Sequence, residues 1–166
     1  METLMSAVIG ALSGKASREV IVFIISMIPI LELRGGLLAA SVLNINIVRA
    51  LWICIIGNLI PVPFILLLIT PIFNWLKQTK TLRPMVEKME NRALSKREQV
   101  EKYEFWGLVL FVGIPLPGTG AWTGSLLAAL LGIKFKKAFP AVVLGILLAS
   151  FIMSVVSYGL LGAILH

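Results

Sequence analysis

Two ionisable residues stand alone in apolar sequence and are the first candidates for chemistry. Glu32 and Arg34 lie in Ile28-Pro29-Ile30-Leu31-Glu32-Leu33-Arg34-Gly35-Gly36-Leu37-Leu38-Ala39-Ala40. Apolar surroundings disfavour a charged carboxylate and a nearby arginine favours it, so Glu32 could load and release a proton. Arg34 could take an anionic group, such as a phosphate, when Glu32 is protonated. The plainer reading is a fixed ion pair that only shapes the chain. Function is favoured, because ionisable residues inside membrane segments default to it. Pro29 removes a backbone donor, and Gly35-Gly36 is expected to let the backbone turn, with the tip at 32–36.

A second broken stretch carries no charge: Ile114-Pro115-Leu116-Pro117-Gly118-Thr119-Gly120-Ala121-Trp122-Thr123-Gly124-Ser125-Leu126-Leu127-Ala128-Ala129. The half-helix that follows such a break presents free amides to an anion. Pro117, Gly118, Thr119, Gly120, Trp122 and Thr123 are its candidate substrate or proton-site residues, beside Glu32, Arg34, Gly35 and Gly36 of the first stretch. Trp122 could stack on a substrate or simply pack. The Gly120 to Gly124 spacing could mean only close helix contact. Asn58, polar within a long apolar run, serves a pathway or a helix-to-helix hydrogen bond. No phosphate-loop or dinucleotide fingerprint is present, nor a Ser-His-Asp set, a Cys/His pair or a metal-ligand cluster. An enzyme, a cofactor or a metal is not expected.

Composition sets the elements that must position these residues. The chain has 166 residues, 58% hydrophobic and 14% charged, with a mean hydropathy of +0.98. A soluble domain carries roughly 25% charged residues, so this is an all-α integral membrane protein with a single membrane domain. The net charge of +7 comes from basic residues beside apolar spans, which suits topology and lipid headgroups better than nucleic acid. Cys54 is the only cysteine, which excludes an intrachain disulfide. The terminal His166 is given no role.

In chain order, residues 1–19 suggest an interfacial helix, too short to span and without the basic start of a signal peptide. Residues 20–31 and 35–43 are each too short to cross a core of roughly 30 Å. They form either one broken span or a re-entrant hairpin, whose tip must be buried in protein or wet. Val48 to Phe73 is long enough to span, with a kink or unwound turn expected at Pro61 and Pro63. Asn74 to Glu104 is polar, with Val86, Met89, Ala93, Val100 and Tyr103 at helical spacing, Pro84 suited to a first turn and Glu98 paired with Lys102. An amphipathic helix on headgroups is expected, its charges a solvated face. Phe105 to Leu131 repeats the broken pattern, Gly132 to Lys137 turns, and Phe139 to Leu165 is a last span with Pro140 near its start.

The chain also repeats itself. Ile28-Pro29 recurs 86 residues on at Ile114-Pro115, and Leu37-Leu38-Ala39-Ala40 recurs 89 residues on at Leu126-Leu127-Ala128-Ala129. Arg49-Ala50 and Gly57 recur 88 residues on at Lys137-Ala138 and Gly145. Repeat 1 is therefore 20–73, the linker 74–104 and repeat 2 105–166. A re-entrant hairpin plus one crossing per unit makes the repeats inverted. Eight Lys/Arg of the linker and Lys134, Lys136 and Lys137 then share one face, against Lys15, Arg18 and Arg49 on the other. The larger group is expected in the cytoplasm, with both termini outside.

The Glu-Leu-Arg-Gly-Gly stretch at 32–36, the Pro-Leu-Pro-Gly-Thr-Gly-Ala-Trp-Thr-Gly stretch at 115–124 and the basic linker together resemble the small multi-drug export protein family, a distant relative of the DedA/VTT membrane proteins. The resemblance covers nearly the whole chain. It implies two facing re-entrant hairpins in an inverted repeat, with Glu32 matching the acidic residue of the first DedA hairpin. DedA proteins also use arginines around the second hairpin; here no Arg follows Arg97, so Arg34, Lys134, Lys136 or Lys137 would have to substitute. The expected function is a small, multi-pass cell-membrane transporter, proton-coupled, for an amphipathic or lipid-phosphate substrate. The alternatives are a multidrug exporter, a passive lipid scramblase and a purely structural membrane protein. Expected partners are membrane lipids, the substrate, protons and a second copy as a homodimer, without nucleic acid.

Overall fold

The computed structural model describes residues 2–12, 14, 16–101, 104–116 and 118–160, and every regular element among them is helical. Candidate-site residue Pro117, the basic residues Lys15 and Lys102, Tyr103, and the end of the last apolar run through Leu165 and His166 lie outside the described residues.

Two helical runs are long and apolar enough to cross a membrane, Ile47–Leu76 and Phe135–Gly159. The first joins α4 (Ile47–Leu59) to α5 (Pro61–Leu76) through Ile60, whose backbone stays helical. Pro61 and Pro63 thus interrupt the hydrogen-bond ladder without unwinding a turn, since neither can donate to the carbonyl four residues back. The second is α10 (Phe135–Ser154), continued by a π-helical stretch, Val155–Leu160. It starts at Phe135, not Phe139, so Pro140 sits inside the helix and not at its first position. Both runs expose large apolar side chains, among them Trp52, Phe64, Leu67, Leu147 and Phe151. Such faces are costly in water and natural against lipid.

The other apolar helices are half as long. α2 (Arg18–Met27), capped by the Ser17 hydroxyl, and α3 (Glu32–Val42) flank a break at 28–31. α8 (Glu104–Gly113) and α9 (Ala121–Leu130) flank a break at 114–120. At a rise of 1.5 Å per residue each covers about 15 Å, half a hydrocarbon core. Within each pair the two helices pack on one another.

The first break is not made by its glycines. Gly35 and Gly36 lie inside α3, and it is Glu32 that turns, with φ +49°. Such left-handed backbone is sparsely populated for a residue with a Cβ. The glycines instead let helices touch: a Cβ on Gly36 would overlap the Ser26 hydroxyl of α2 and lie 2.8 Å from the Cys54 sulfur of α4.

Helix starts recur at the spacings read from the sequence. Those of α2 and α8 are 86 apart (18 and 104), of α3 and α9 89 apart (32 and 121), and of α4 and α10 88 apart (47 and 135). Contacts recur as well. A Cβ on Gly57 would lie 3.0 Å from the Phe23 carbonyl and 3.1 Å from the Ser26 Cβ. One on Gly145 would lie 3.0 Å from the Val109 carbonyl and 2.6 Å from the Val112 Cβ. Phe23 and Val109, like Ser26 and Val112, are 86 apart. The turns before the two long runs also correspond, with Asn44 (φ +54°) and Gly132 (φ +70°) left-handed.

α1 (Glu2–Leu12) leans on α2. The polar linker forms α6 (Arg83–Leu94), with Pro84 in its first turn, and the short α7 (Arg97–Glu101). Val86, Ala93 and Val100 of its apolar stripe are buried. α6 packs on α9 and α5, which brings the linker to the second break.

Candidate functional site

The charges of the first break are held by the second. Glu32 is 5% exposed, and its two carboxylate oxygens accept from the backbone N–H of Ala121 (3.2 Å) and of Trp122 (3.0 Å). These amides open α9 and have no partner within their own helix, so an anion there is favoured by hydrogen bonding and by the helix dipole. Arg34 reaches the other side of the same break. Its Nη1 donates to the Leu116 carbonyl (2.8 Å), and its Nη2 to the Thr119 hydroxyl (3.0 Å) and the Ile114 carbonyl (3.3 Å). These carbonyls follow α8 and suit a cation. In return, the Trp122 indole donates to the Met27 carbonyl at the end of α2 (3.2 Å). Each interrupted helix pair is thus closed by side chains of the other. Among the described residues Glu32 and Arg34 form no ion pair with each other, contrary to the fixed pair considered above.

Gly120 is what allows the carboxylate this close. Its φ of +137° is poorly accessible to other residues, and a Cβ there would overlap the Glu32 carboxylate.

Beside this contact opens a cavity of about 480 Å³. Glu32, Arg34, Gly118, Thr119 and Thr123 line it with polar or backbone groups. Ile30, Leu31 and Leu126 make an apolar wall. The third side is the linker, through Met89, Arg92, Ala93 and Lys96. Lys96 Nζ donates to the Gly118 carbonyl (2.9 Å) and lies 5.8 Å from the centre of the Phe111 ring.

A family model described as "Putative small multi-drug export protein" matches residues 32–152, which is 121 of the 166 residues. The chain belongs to the small multi-drug export protein family. No curated protein and no solved structure matches it significantly. The family description suggests an export protein, a transporter, and the two long apolar helices agree with a membrane protein.

For this member of the export family the match begins at Glu32, directly after the first break, and takes in the second. Of the residues singled out from sequence, Glu32, Arg34, Gly118, Thr119 and Thr123 meet at the cavity, and Gly120 abuts Glu32. Trp122 contributes its backbone amide, while its indole is tied to α2. Gly36 packs against Ser26 of α2 and Cys54 of α4, and Gly35 against Leu31 and Ile25; neither lines the cavity. Asn58 is buried in α4, not at the cavity, and its side-chain oxygen has no hydrogen-bond partner among the described residues.

Sequence reading missed Arg92 and Lys96, grouped with a solvated charge run. Their signal was position: both flank the apolar stripe of Met89 and Ala93 that turns α6 inward. Lys134, Lys136 and Lys137, considered as substitutes for a missing arginine, are not at the cavity; Lys137 instead pairs with Glu104 (2.8 Å).

Proposed function

We propose that the protein is a proton-coupled membrane transporter whose substrate site lies between the two breaks. One observation carries the reading: the buried Glu32 carboxylate holds the amides of Ala121 and Trp122 across the interface. An ionised carboxylate accepts with both oxygens, whereas protonation turns one of them into a hydroxyl donor. Proton uptake by Glu32 therefore weakens the contact that closes the breaks on each other. Arg34 and the α9 amides are then offered to an acidic group of an amphipathic or lipid-phosphate substrate entering the cavity. Release of the proton restores the contact and expels the substrate.

Discontinuous helices at corresponding positions of two inverted halves mark transporter sites. Recurring helix starts and the equivalent Gly57 and Gly145 contacts support two inverted units. The half-core lengths of α2, α3, α8 and α9 support re-entrant hairpins. On this arrangement the protein is a multi-pass cell-membrane protein, with the linker and the Lys134 to Lys137 turn in the cytoplasm. A second reading, export of uncharged apolar drugs, is favoured by the family description and by the Ile30, Leu31 and Leu126 wall.

The test is movement of a fluorescent lipid phosphate in proteoliposomes, with and without a pH gradient, for wild type and a folded Glu32→Gln variant. Gradient-driven movement lost in the variant is the expected result. Movement indifferent to the gradient would make the protein a scramblase. Absence of movement, with gradient-driven efflux of an apolar dye, would favour the second reading.

A further inference from the structure

The walls of the cavity are not equally fixed. Seven of the eleven residues of α3 and five of the ten of α9 are buried. In α6, which closes the third side, only Val86 and Ala93 of twelve are buried, while Met85 and Met89 stay exposed. A helix with so few buried apolar contacts opens before the elements around it. Both its ends join the protein through short turns. Residues 77–82 carry single-turn bonds, such as Thr79 N–H to the Leu76 carbonyl (3.0 Å) and Leu82 N–H to the Thr79 carbonyl (3.1 Å). Ser95 and Lys96 separate α6 from α7. Turns at element ends are where hinges form.

Two polar contacts hold α6 in place. Beside the first turn, Lys77 pairs with Glu90 (2.6 Å). Beside the second, Lys96 donates to the Gly118 carbonyl and lies against the Phe111 ring of α8. Gly118 stands three and four residues before Ala121 and Trp122. Segment 118–122 is thus grasped at one end by the linker and at the other by the Glu32 carboxylate. Only two backbone dihedrals per residue are soft, so five residues released at one end are displaced at the other.

We propose that α6 is a gate over the cavity, latched by Lys96 on the Gly118 carbonyl and freed when Glu32 releases the Ala121 and Trp122 amides. This rests on the reading of the cavity as the substrate site and of Glu32 as its proton carrier. The gate swings on the 77–82 turn and lifts its Ala93 face from the cavity. Lys96 is a positioning residue, acting through the second break.

Purified full-length protein in neutral detergent carries Ala93→Cys, and its reaction with a bulky maleimide is timed. Ala93 lines the cavity yet is only 3% exposed, so reaction requires α6 to lift. Cys54, buried away from the cavity, is followed in the same sample by mass spectrometry and reports general unfolding. Lys96→Met is expected to speed labelling about tenfold, the loss of one charged hydrogen bond, and Lys96→Arg to keep most of the wild-type rate. Glu32→Gln, which imitates the protonated acid, is expected to speed it about as much. The double variant matches either single one, because both act on one latch. Lys88→Gln, on the exposed side of α6, leaves the rate unchanged.

A wild-type rate in Lys96→Met or in Glu32→Gln would overturn the proposal. So would multiplied rates in the double variant, or a rise in Lys88→Gln equal to that in Lys96→Met. Cys54 labelling that rises together with the thiol at 93 would make the Lys96 contact merely structural, and overturn it too. In proteoliposomes, Met89→Cys and Ile30→Cys, joined across the cavity by a flexible, reducible cross-linker, are expected to stop transport until reductant is added. Transport by the cross-linked protein would overturn the gate and leave the substrate site standing. Absence of gradient-driven transport before cross-linking would overturn the proton-coupled reading, and the gate's role with it, whatever the labelling rates.

Discussion

The first break takes four residues, 28–31, and is followed at once by Glu32 and Arg34; the second takes seven, 114–120, and carries no charge. They occupy matching places between paired short helices, yet their chemistry is opposite. One supplies a carboxylate and a guanidinium, and the other supplies amides and carbonyls to receive them. The three extra residues follow from this division. A break that offers backbone needs slack to turn its carbonyls and amides outward, and Gly118 and Gly120, at φ +76° and +137°, provide it. A break that offers side chains can stay short. The difference teaches that two interrupted helix pairs can close on one another by complementary chemistry, and that neither break is satisfied without the other.

The sharpest way to break this complementarity is Gly120→Ala. The added methyl meets the Glu32 carboxylate and the backbone must hold a left-handed φ, so a loss of about 3 kcal/mol or more is expected. Thermal unfolding in detergent measures it, and wild-type stability in this variant would mean that the breaks are not in contact. Combining it with Glu32→Ala should recover part of the loss, because the overlapping group is gone. Next comes Arg34→Ala, which takes a charged donor from the Ile114 and Leu116 carbonyls, at a cost of about 2 kcal/mol. Increased proteolysis within 114–120 is the readout that distinguishes local release from general unfolding.

The matched helix crossings give a smaller and more discriminating test. Gly145→Ala should cost about 2 kcal/mol and Gly57→Ala about 1 kcal/mol, since the added Cβ meets Val112 at 2.6 Å but Ser26 only at 3.1 Å. The reverse order would mean that the two crossings are not equivalent. The smallest effect concerns Glu104, whose bond to Lys137 holds its carboxyl below the ordinary value. A depressed folded value stabilises above the unfolded value of about 4.3 and is lost as pH falls through the folded one. Lys137→Gln should therefore lower the unfolding midpoint slightly at pH 7, and the two curves should converge in acid. The pair is exposed, so salt should shrink the difference.

Much of the fold was legible because its causes are local. Pro29, Pro115 and the glycines interrupt apolar runs wherever those runs end up, and an 86 to 89 residue repeat can be counted without coordinates. Val86, Ala93 and Val100 were recognisable as an apolar stripe from spacing alone, but that they are buried within the protein while Met89 of the same stripe stays exposed was not. Gly35 and Gly36 misled for a physical reason: glycine permits both a turn and a close helix contact, and only the neighbours decide which. Leu31 and Ile25 at Gly35, and Ser26 and Cys54 at Gly36, decided for contact.

The sequence by itself determined that this is a helical, apolar chain with two interrupted runs and one acid and one base set close together in the first, since composition, period and helix breakers act within a few residues. Only the tertiary structure decided what that pair holds. Glu32 lies 89 and 90 residues before the amides it binds, and Arg34 lies 82 residues before its nearest carbonyl. Partners so far apart along the chain are chosen by how the helices pack, and that same packing turned Arg92 and Lys96 from an apparent solvated face into a wall of the cavity.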